Sequence, residues 1–266
     1  MSTMAAPTTL DVSHTPSVPF GRLVEVETRK LADTRAGRWL LIAIAALTVV
    51  VLVIQLAVVV ANDMSVTYLD FLLGANTPMG ILLPVLGIMS VTSEWSQRTA
   101  MVTFTLEPSR LRVIAAKFVC VMILSVVALA VGLALGAFVN VLYGAMSGDT
   151  VVWGSVGTIA VDYLLVWVLG MATGFAFGMV FLNSAASIVL YFVYSFVLPA
   201  PFEIGAHLLG WFHDIRPWVD FNNAQGPLLD ATIHGNEWGQ LVTSGLIWLV
   251  LPFLIGLSRI QRAEVK

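Results

Sequence analysis

Four stretches of the chain run without a single Asp, Glu, Lys or Arg: residues 39–62, 71–93, 118–148 and 238–258. A helix rises about 1.5 Å per residue, so about 20 apolar residues cross the roughly 30 Å hydrocarbon core of a bilayer. Each stretch is long enough to cross alone. Between Asp149 and Glu203 a fifth region holds one charge, Asp162, and is too long for a single crossing. The polar pair Asn183 and Ser184 divides it, so it reads as a helical hairpin. The expected fold is an all-α integral membrane protein whose transmembrane domain, 39–258, has six transmembrane helices. They lie at about 39–61, 71–93, 118–143, 155–181, 184–200 and 239–258, with an outer segment over 201–237.

Composition excludes the other classes. The chain is 58% hydrophobic and 11% charged, with a mean hydropathy of +0.91; a soluble domain carries about a quarter charged residues. Disorder needs low hydrophobicity, and a net charge of −3 gives no footprint for nucleic acid. The single cysteine, Cys120, lies in an apolar run and reads as a packing residue, so no disulfide within the chain supports an outer domain.

Six crossings put both termini on one side, and the basic residues test this independently. Arg22, Arg29, Lys30, Arg35 and Arg38 precede the first span. Arg98, Arg110, Arg112 and Lys117 lie between the second and third, and Arg259, Arg262 and Lys266 follow the sixth. All fall on one face, leaving only Arg216 on the other. Because Lys and Arg near span ends are retained inside, both termini are expected in the cytoplasm of a multi-pass cytoplasmic-membrane protein. Trp39 and Trp95 then mark the inner interface, and Trp153, Trp211, Trp218 and Trp238 the outer one.

Residues 1–19, rich in Ser, Thr, Pro and Ala, read as a disordered cytoplasmic tail and lack the basic-then-apolar pattern of a secretory signal. Over 20–38 the text becomes amphipathic: Phe20, Leu23, Val24 and Leu31 share one face at helical spacing, which predicts an interfacial helix along the inner membrane surface. Residues 259–266 are expected to form a second short cytoplasmic tail.

The most informative segment is 93–117, SEWSQRTAMVTFTLEPSRLRVIAAK. It is too long and too charged for a minimal turn and too short for a domain. Ser93 is a reasonable N-cap with Glu94 in the first turn favouring the helix dipole, which predicts a short helix, a corner at Pro108 and a basic re-entry. The pattern Glu94-Trp95-x-x-Arg98-Thr99, Thr103-Phe104-Thr105-Leu106, Glu107-Pro108-x-Arg110, Arg112-Val113 and Ala115-Ala116-Lys117 resembles the first cytoplasmic loop of permease subunits of bacterial ABC exporters of the second permease class, the type V exporter fold. The resemblance extends over 20–258.

It implies that 94–106 forms a coupling helix docking on a separate ATPase, with Glu94, Trp95, Arg98, Thr99, Thr103, Pro108, Arg110 and Arg112 as the coupling residues. It implies two ATPase copies, a second permease copy or a sister permease, and export of an amphipathic substrate such as a drug, antibiotic or lipid-like molecule. Multidrug efflux or antibiotic resistance is the expected role. It also implies that spans two and five face the substrate pathway, which makes Met89, Tyr191 and Tyr194 candidate lining residues. The chain itself encodes no phosphate cradle, since none of its three lysines, Lys30, Lys117 and Lys266, follows a glycine. ATP and magnesium are therefore expected on the partner, and no cofactor or metal on this chain.

Asp162 is the one charge inside a span, and such a residue is a candidate contact for a cation or substrate. Gly170, Gly174 and Gly178, like Gly132 and Gly136, recur every four residues and predict close helix packing, with a contact between spans three and four expected. Pro84 and Pro252 are expected to kink their helices. His207, His213 and His234 lie in the outer segment among acids, without a spacing that fixes a metal geometry. No Ser and His pair at membrane depth, no second intramembrane acid and no HExxH is present, so no enzyme is expected, and no catalytic residues. The alternatives are a proton- or ion-coupled secondary transporter, which the lack of an internal repeat disfavours, and a structural membrane subunit.

Overall fold

The computed structural model describes residues 18–148 and 150–263. The expected tail over 1–19 lies outside them apart from Val18 and Pro19, as do Asp149 and Lys266. The described residues contain no strand and six helices long and apolar enough to cross a membrane. A first helix, α1 (Phe20–Asp33), precedes span one, α2 (Arg35–Ala61). Span two, α3 (Tyr68–Ser96), leads through the short α4 (Ala100–Leu106) into span three, α5 (Arg110–Ser147). Spans four, α6 (Val156–Phe181), and five, α7 (Ser184–Leu208), form the hairpin. Three short helices, α8 (Gly210–Val219), α9 (Phe221–Ala224) and α10 (Gly226–Leu229), then lead to span six, α11 (Asn236–Arg262). Six crossings bring both described ends to one face, termed the terminal face; α8–α10 lie on the opposite, far face.

Local sequence sets the helix ends. Thr34 adopts an extended conformation and accepts from the Gly37 amide, so the chain breaks between α1 and α2 where a continuous 20–38 element was expected. Gly37 is required at this corner, since a side chain there would run into the Leu31 carbonyl oxygen. Span two opens on a capping box: the Thr67 amide donates to Asp70 Oδ2 at 2.7 Å. Gly148, with φ +77°, closes span three. At the hairpin Leu182 takes φ +52°, and Asn183 caps span five by accepting from the Ala186 amide. Because caps rather than the last apolar residue end these helices, several spans run past the charge-free limits read from the sequence. The segment 259–266 is helical to Arg262 rather than a free tail.

Spans two and four are the centre of the bundle. Within the most apolar stretch of each, 61% of the residues are buried, against 17–28% in the other four. Apolar side chains gain nothing by leaving lipid for one another, so association rests on close packing. A Cβ at Gly174 would strike the Pro84 carbonyl oxygen, one at Gly87 the Met171 carbonyl oxygen, and one at Gly178 the Ile88 carbonyl oxygen at 2.9 Å. The span-four glycine ridge thus packs on span two, while the expected contact between spans three and four also forms, at Gly132 beside Trp167 and through the Ser125 hydroxyl on Met171 Sδ. Gly132 and Gly136 of span three make room for side chains instead, Trp167 at the first and Leu72 and Tyr68 at the second.

Spans five and six each contain one widened π turn, Val193–Val197 and Leu246–Val250, and each is followed by a proline, Pro199 and Pro252. A proline ring clashes with the carbonyl four residues back and has no N–H for it. Widening the preceding turn relieves the clash: the Leu198 amide donates to the Val193 carbonyl, five residues back, at 2.9 Å.

Candidate functional site

At the terminal face, four charged side chains from three helices close a ring. Lys117 Nζ lies 2.5 Å from Glu27 Oε2 and 3.1 Å from Glu94 Oε1; Lys30 Nζ lies 2.8 Å from Glu27 Oε1 and 2.7 Å from Glu94 Oε1. Glu27, Glu94 and Lys117 have side chains only 6–9% exposed. Spacing on α1 puts Glu27 and Lys30 one turn apart on the face turned to the spans. The hydroxyl of Thr103 adds a bond from α4 to Glu94 Oε1 at 3.1 Å. Two acids against two bases leave the ring neutral, the condition under which buried charge is tolerated. Burial pushes the Lys30 ammonium down, but its hydrogen bonds and charge contacts with Glu27 and Glu94 outweigh this and hold it above its ordinary value. Its contribution to stability is therefore full below the ordinary lysine value and is lost as pH rises through the raised one.

This geometry corrects the expected coupling helix over 94–106. Glu94 and Trp95 belong to the last turn of span two, Ser93 is inside that helix rather than at an N-cap, and the short helix begins at Ala100. Glu94 is buried because it holds the ring, whereas cap chemistry and the family resemblance both put it at the start of a surface helix. Arg98, with φ +58°, makes the corner, and the Thr99 amide donates to the Glu94 carbonyl at 2.8 Å. Trp95 meets Phe104 in a tilted ring contact at 6.3 Å. Pro108 is exposed between α4 and span three. Arg112 bonds Glu107 at 3.0 Å and the Val18 carbonyl at 2.6 Å.

Arg110 does more than the sequence suggested. Its guanidinium lies over the Phe104 ring, 5.1 Å from the centroid, and donates to the carbonyls of Ile260, Gln261 and Ala263 at 2.6, 3.1 and 2.9 Å. These are carbonyls at the end of span six that the helix itself leaves unpaired, and a cation there also favours the helix dipole. Arg110→Gln is expected to fray that end, raising tryptic cleavage at Arg259 and Arg262 at least about tenfold, the ratio given by losing a single charge-assisted bond of about 1.5 kcal/mol; cleavage at the wild-type rate would remove this role. A second missed contact joins the hairpin to span two: the Ser184 hydroxyl lies 2.8 Å from that of Thr92 and 3.0 Å from that of Ser96. No periodic signal marks such a contact, because it links residues far apart in the chain.

Between α1 and α4 runs a groove of about 570 Å³. Leu23, Val26, Val102 and Leu106 are among its apolar lining residues, and Arg22 and Glu107 among its charged ones. Met101, Val102 and Leu106 of α4 are 49%, 59% and 76% exposed, an apolar surface on the terminal face.

The candidate pathway residues separate. Tyr191 and Tyr194 line a cavity of about 310 Å³ between spans two, four and five. Met89 lies instead beside Glu27, Lys30 and Leu31 on the α1 side, one helix face away from the expected position. Asp162 is 4% exposed in the second turn of span four, with Oδ2 lacking a hydrogen-bond partner among the described residues. On the far face, His207 lies 3.1 Å from Glu203, His213 3.4 Å from Asp214, and His234 3.3 Å from Glu237; no group of three metal-ligating side chains forms among the described residues. No protein-family model matches the chain, and no curated protein is recognisably related to it.

Proposed function

We propose that the chain is the permease subunit of an ATP-driven exporter of the ABC type, moving an amphipathic substrate across the cytoplasmic membrane with a separate ATPase. The observation that carries this reading is α4. A seven-residue helix is held by the buried charge ring between spans two and three and exposes Met101, Val102 and Leu106 beside the groove with α1. A rigid element fixed to two spans can pass motion delivered at its surface into the membrane as rigid-body displacement. The basic residues cluster on the terminal face, which favours a cytoplasmic position for that face and hence for the helix. ATP and magnesium then belong to two ATPase copies, and a second permease copy or a sister permease completes the pathway.

The test is co-purification with an ATPase encoded beside this chain, followed by substrate-stimulated ATP hydrolysis in lipid. Leu106→Glu is expected to lower ATPase association more than tenfold by placing a charge in an apolar contact, with spans and monomer stability unchanged. Full association and coupled hydrolysis in that variant would overturn the assignment of α4.

Asp162 favours a second reading, a proton-coupled carrier. Its sign would be transport driven by a pH gradient without ATP and abolished in Asp162→Asn.

A further inference from the structure

On the far side of the bundle, the cavity of about 310 Å³ reaches from spans two, four and five to the segment carrying α9 and α10. It has about twice the volume of the roughly 150 Å³ apolar cavity that accepts benzene, which is room for a molecule of two rings. Trp167, Tyr191 and Tyr194 contribute aromatic surface. None of the side chains lining it is charged, so an ionic ligand would leave water without gaining a counter-charge, which disfavours it strongly.

The polar groups on the walls are half used, and the unused halves differ in kind. Asn76 Oδ1 accepts from Trp167 Nε1 at 2.8 Å, which leaves its amide hydrogens to donate. On the opposite wall Gln225 Nε2 donates to the Phe221 carbonyl at 3.0 Å and Asn222 Nδ2 to the Tyr194 carbonyl at 3.3 Å. Their amide oxygens remain as acceptors. The hydroxyl of Tyr194, a cavity residue 5% exposed, is buried without a partner. Among the groups on the walls only the Tyr194 and Ser195 hydroxyls are buried without a partner, so a ligand that completes them gains most, while the half-buried amide groups exchange water for the ligand and set its orientation.

We infer that this cavity binds an uncharged aromatic molecule of about two rings that carries both a hydrogen-bond acceptor, met by Asn76, and a donor, met by Gln225 and Asn222. A neutral aromatic amide is the simplest such ligand. The inference deepens the export reading by giving its cargo a chemical class, and it rests on that reading only for the word cargo, since binding needs no ATPase.

The full chain, purified and placed in nanodiscs of zwitterionic lipid, is irradiated with 4-benzoylbenzamide, a two-ring amide whose ketone inserts into nearby C–H bonds, and the adducts are mapped by mass spectrometry. Its anionic and cationic counterparts, 4-benzoylbenzoate and 4-benzoylbenzyltrimethylammonium, are run in parallel. The amide is expected to label cavity positions such as Met79 and Leu83 at least about tenfold more than either ion. Gln225→Met, which keeps the side-chain length and removes the free acceptor together with the bond to the Phe221 carbonyl, is expected to lower that labelling about fivefold. Thr77→Trp, at an exposed lining position, is expected to abolish it; adducts on lipid-facing residues serve in both variants as the measure of intact protein. Equal labelling by all three probes, or cavity labelling by the amide unchanged in both variants, would overturn the inference. Selective cavity labelling in a chain that associates with no ATPase would retain the site and discard the export reading.

Discussion

Replacing Lys117 by methionine is expected to lower the unfolding free energy by about 3–5 kcal/mol, the range for removing one partner of a buried ion pair. The ammonium lies between Glu27 and Glu94, both buried, and its loss leaves two carboxylates facing each other with only the half-exposed Lys30 between them. Methionine keeps the stem length, so the lost stability reports charge rather than packing. Unfolding of the purified chain in mixed micelles, followed by tryptophan fluorescence against detergent fraction, measures it. In the double variant Lys117→Met with Glu27→Gln a carboxylate goes with its ammonium, and part of the stability is expected to return. A single-variant loss below about 1 kcal/mol, the range of solvated surface pairs, would mean that water reaches the ring. A double variant as unstable as the sum of its singles would mean that the charges act independently.

The second large effect lies at the centre of the bundle, where position matters more than residue type. Gly174→Ala is expected to destabilise the chain by about 1–3 kcal/mol, the cost of forcing one extra methyl group into a packed contact. Its Cβ would meet the carbonyl oxygen of Pro84, and backbone cannot rotate away as a side-chain tip does. Gly170→Ala, one turn earlier, meets only the Pro84 ring edge at 3.5 Å, an ordinary contact, and is expected to be neutral. The same unfolding measurement on the two variants separates a specific backbone approach from a general demand for small residues. Equal losses at both positions would count against the approach described between spans two and four.

Six spans were legible because crossing a bilayer demands a length and a polarity that 39–62 or 118–148 display without any partner. The break at Asn183 was legible for the same local reason. Pairing was not: the Gly170, Gly174 and Gly178 ridge announces that some backbone comes close, and only the assembled bundle shows that it is span two. The charge ring was hidden more completely. Glu27 is one of several charges in the amphipathic 20–38 segment and Lys117 a topology signal, since nothing local to either residue records a partner some 90 positions away. The cavity depends likewise on Asn222 and Gln225, which in the sequence are only polar residues of an outer segment. Tyr191 and Tyr194 line one cavity and Met89 another, since the direction of a side chain on its helix is set by packing that no local pattern records.

The hydroxyl contact of Ser184 with Thr92 and Ser96 also bears on how the cavity is bounded. The turn between spans four and five is fastened to the same end of span two that carries the charge ring, so α4, span two and span four are linked at one place. Span five joins that pair at its capped end and widens into the π turn before Pro199 about three turns further on. One of the two widened turns of the bundle therefore lies at Tyr194 and Ser195, in the wall of the cavity, so the cavity is bounded on one side by the fastened pair of spans two and four and on the other by the least regular stretch of span five.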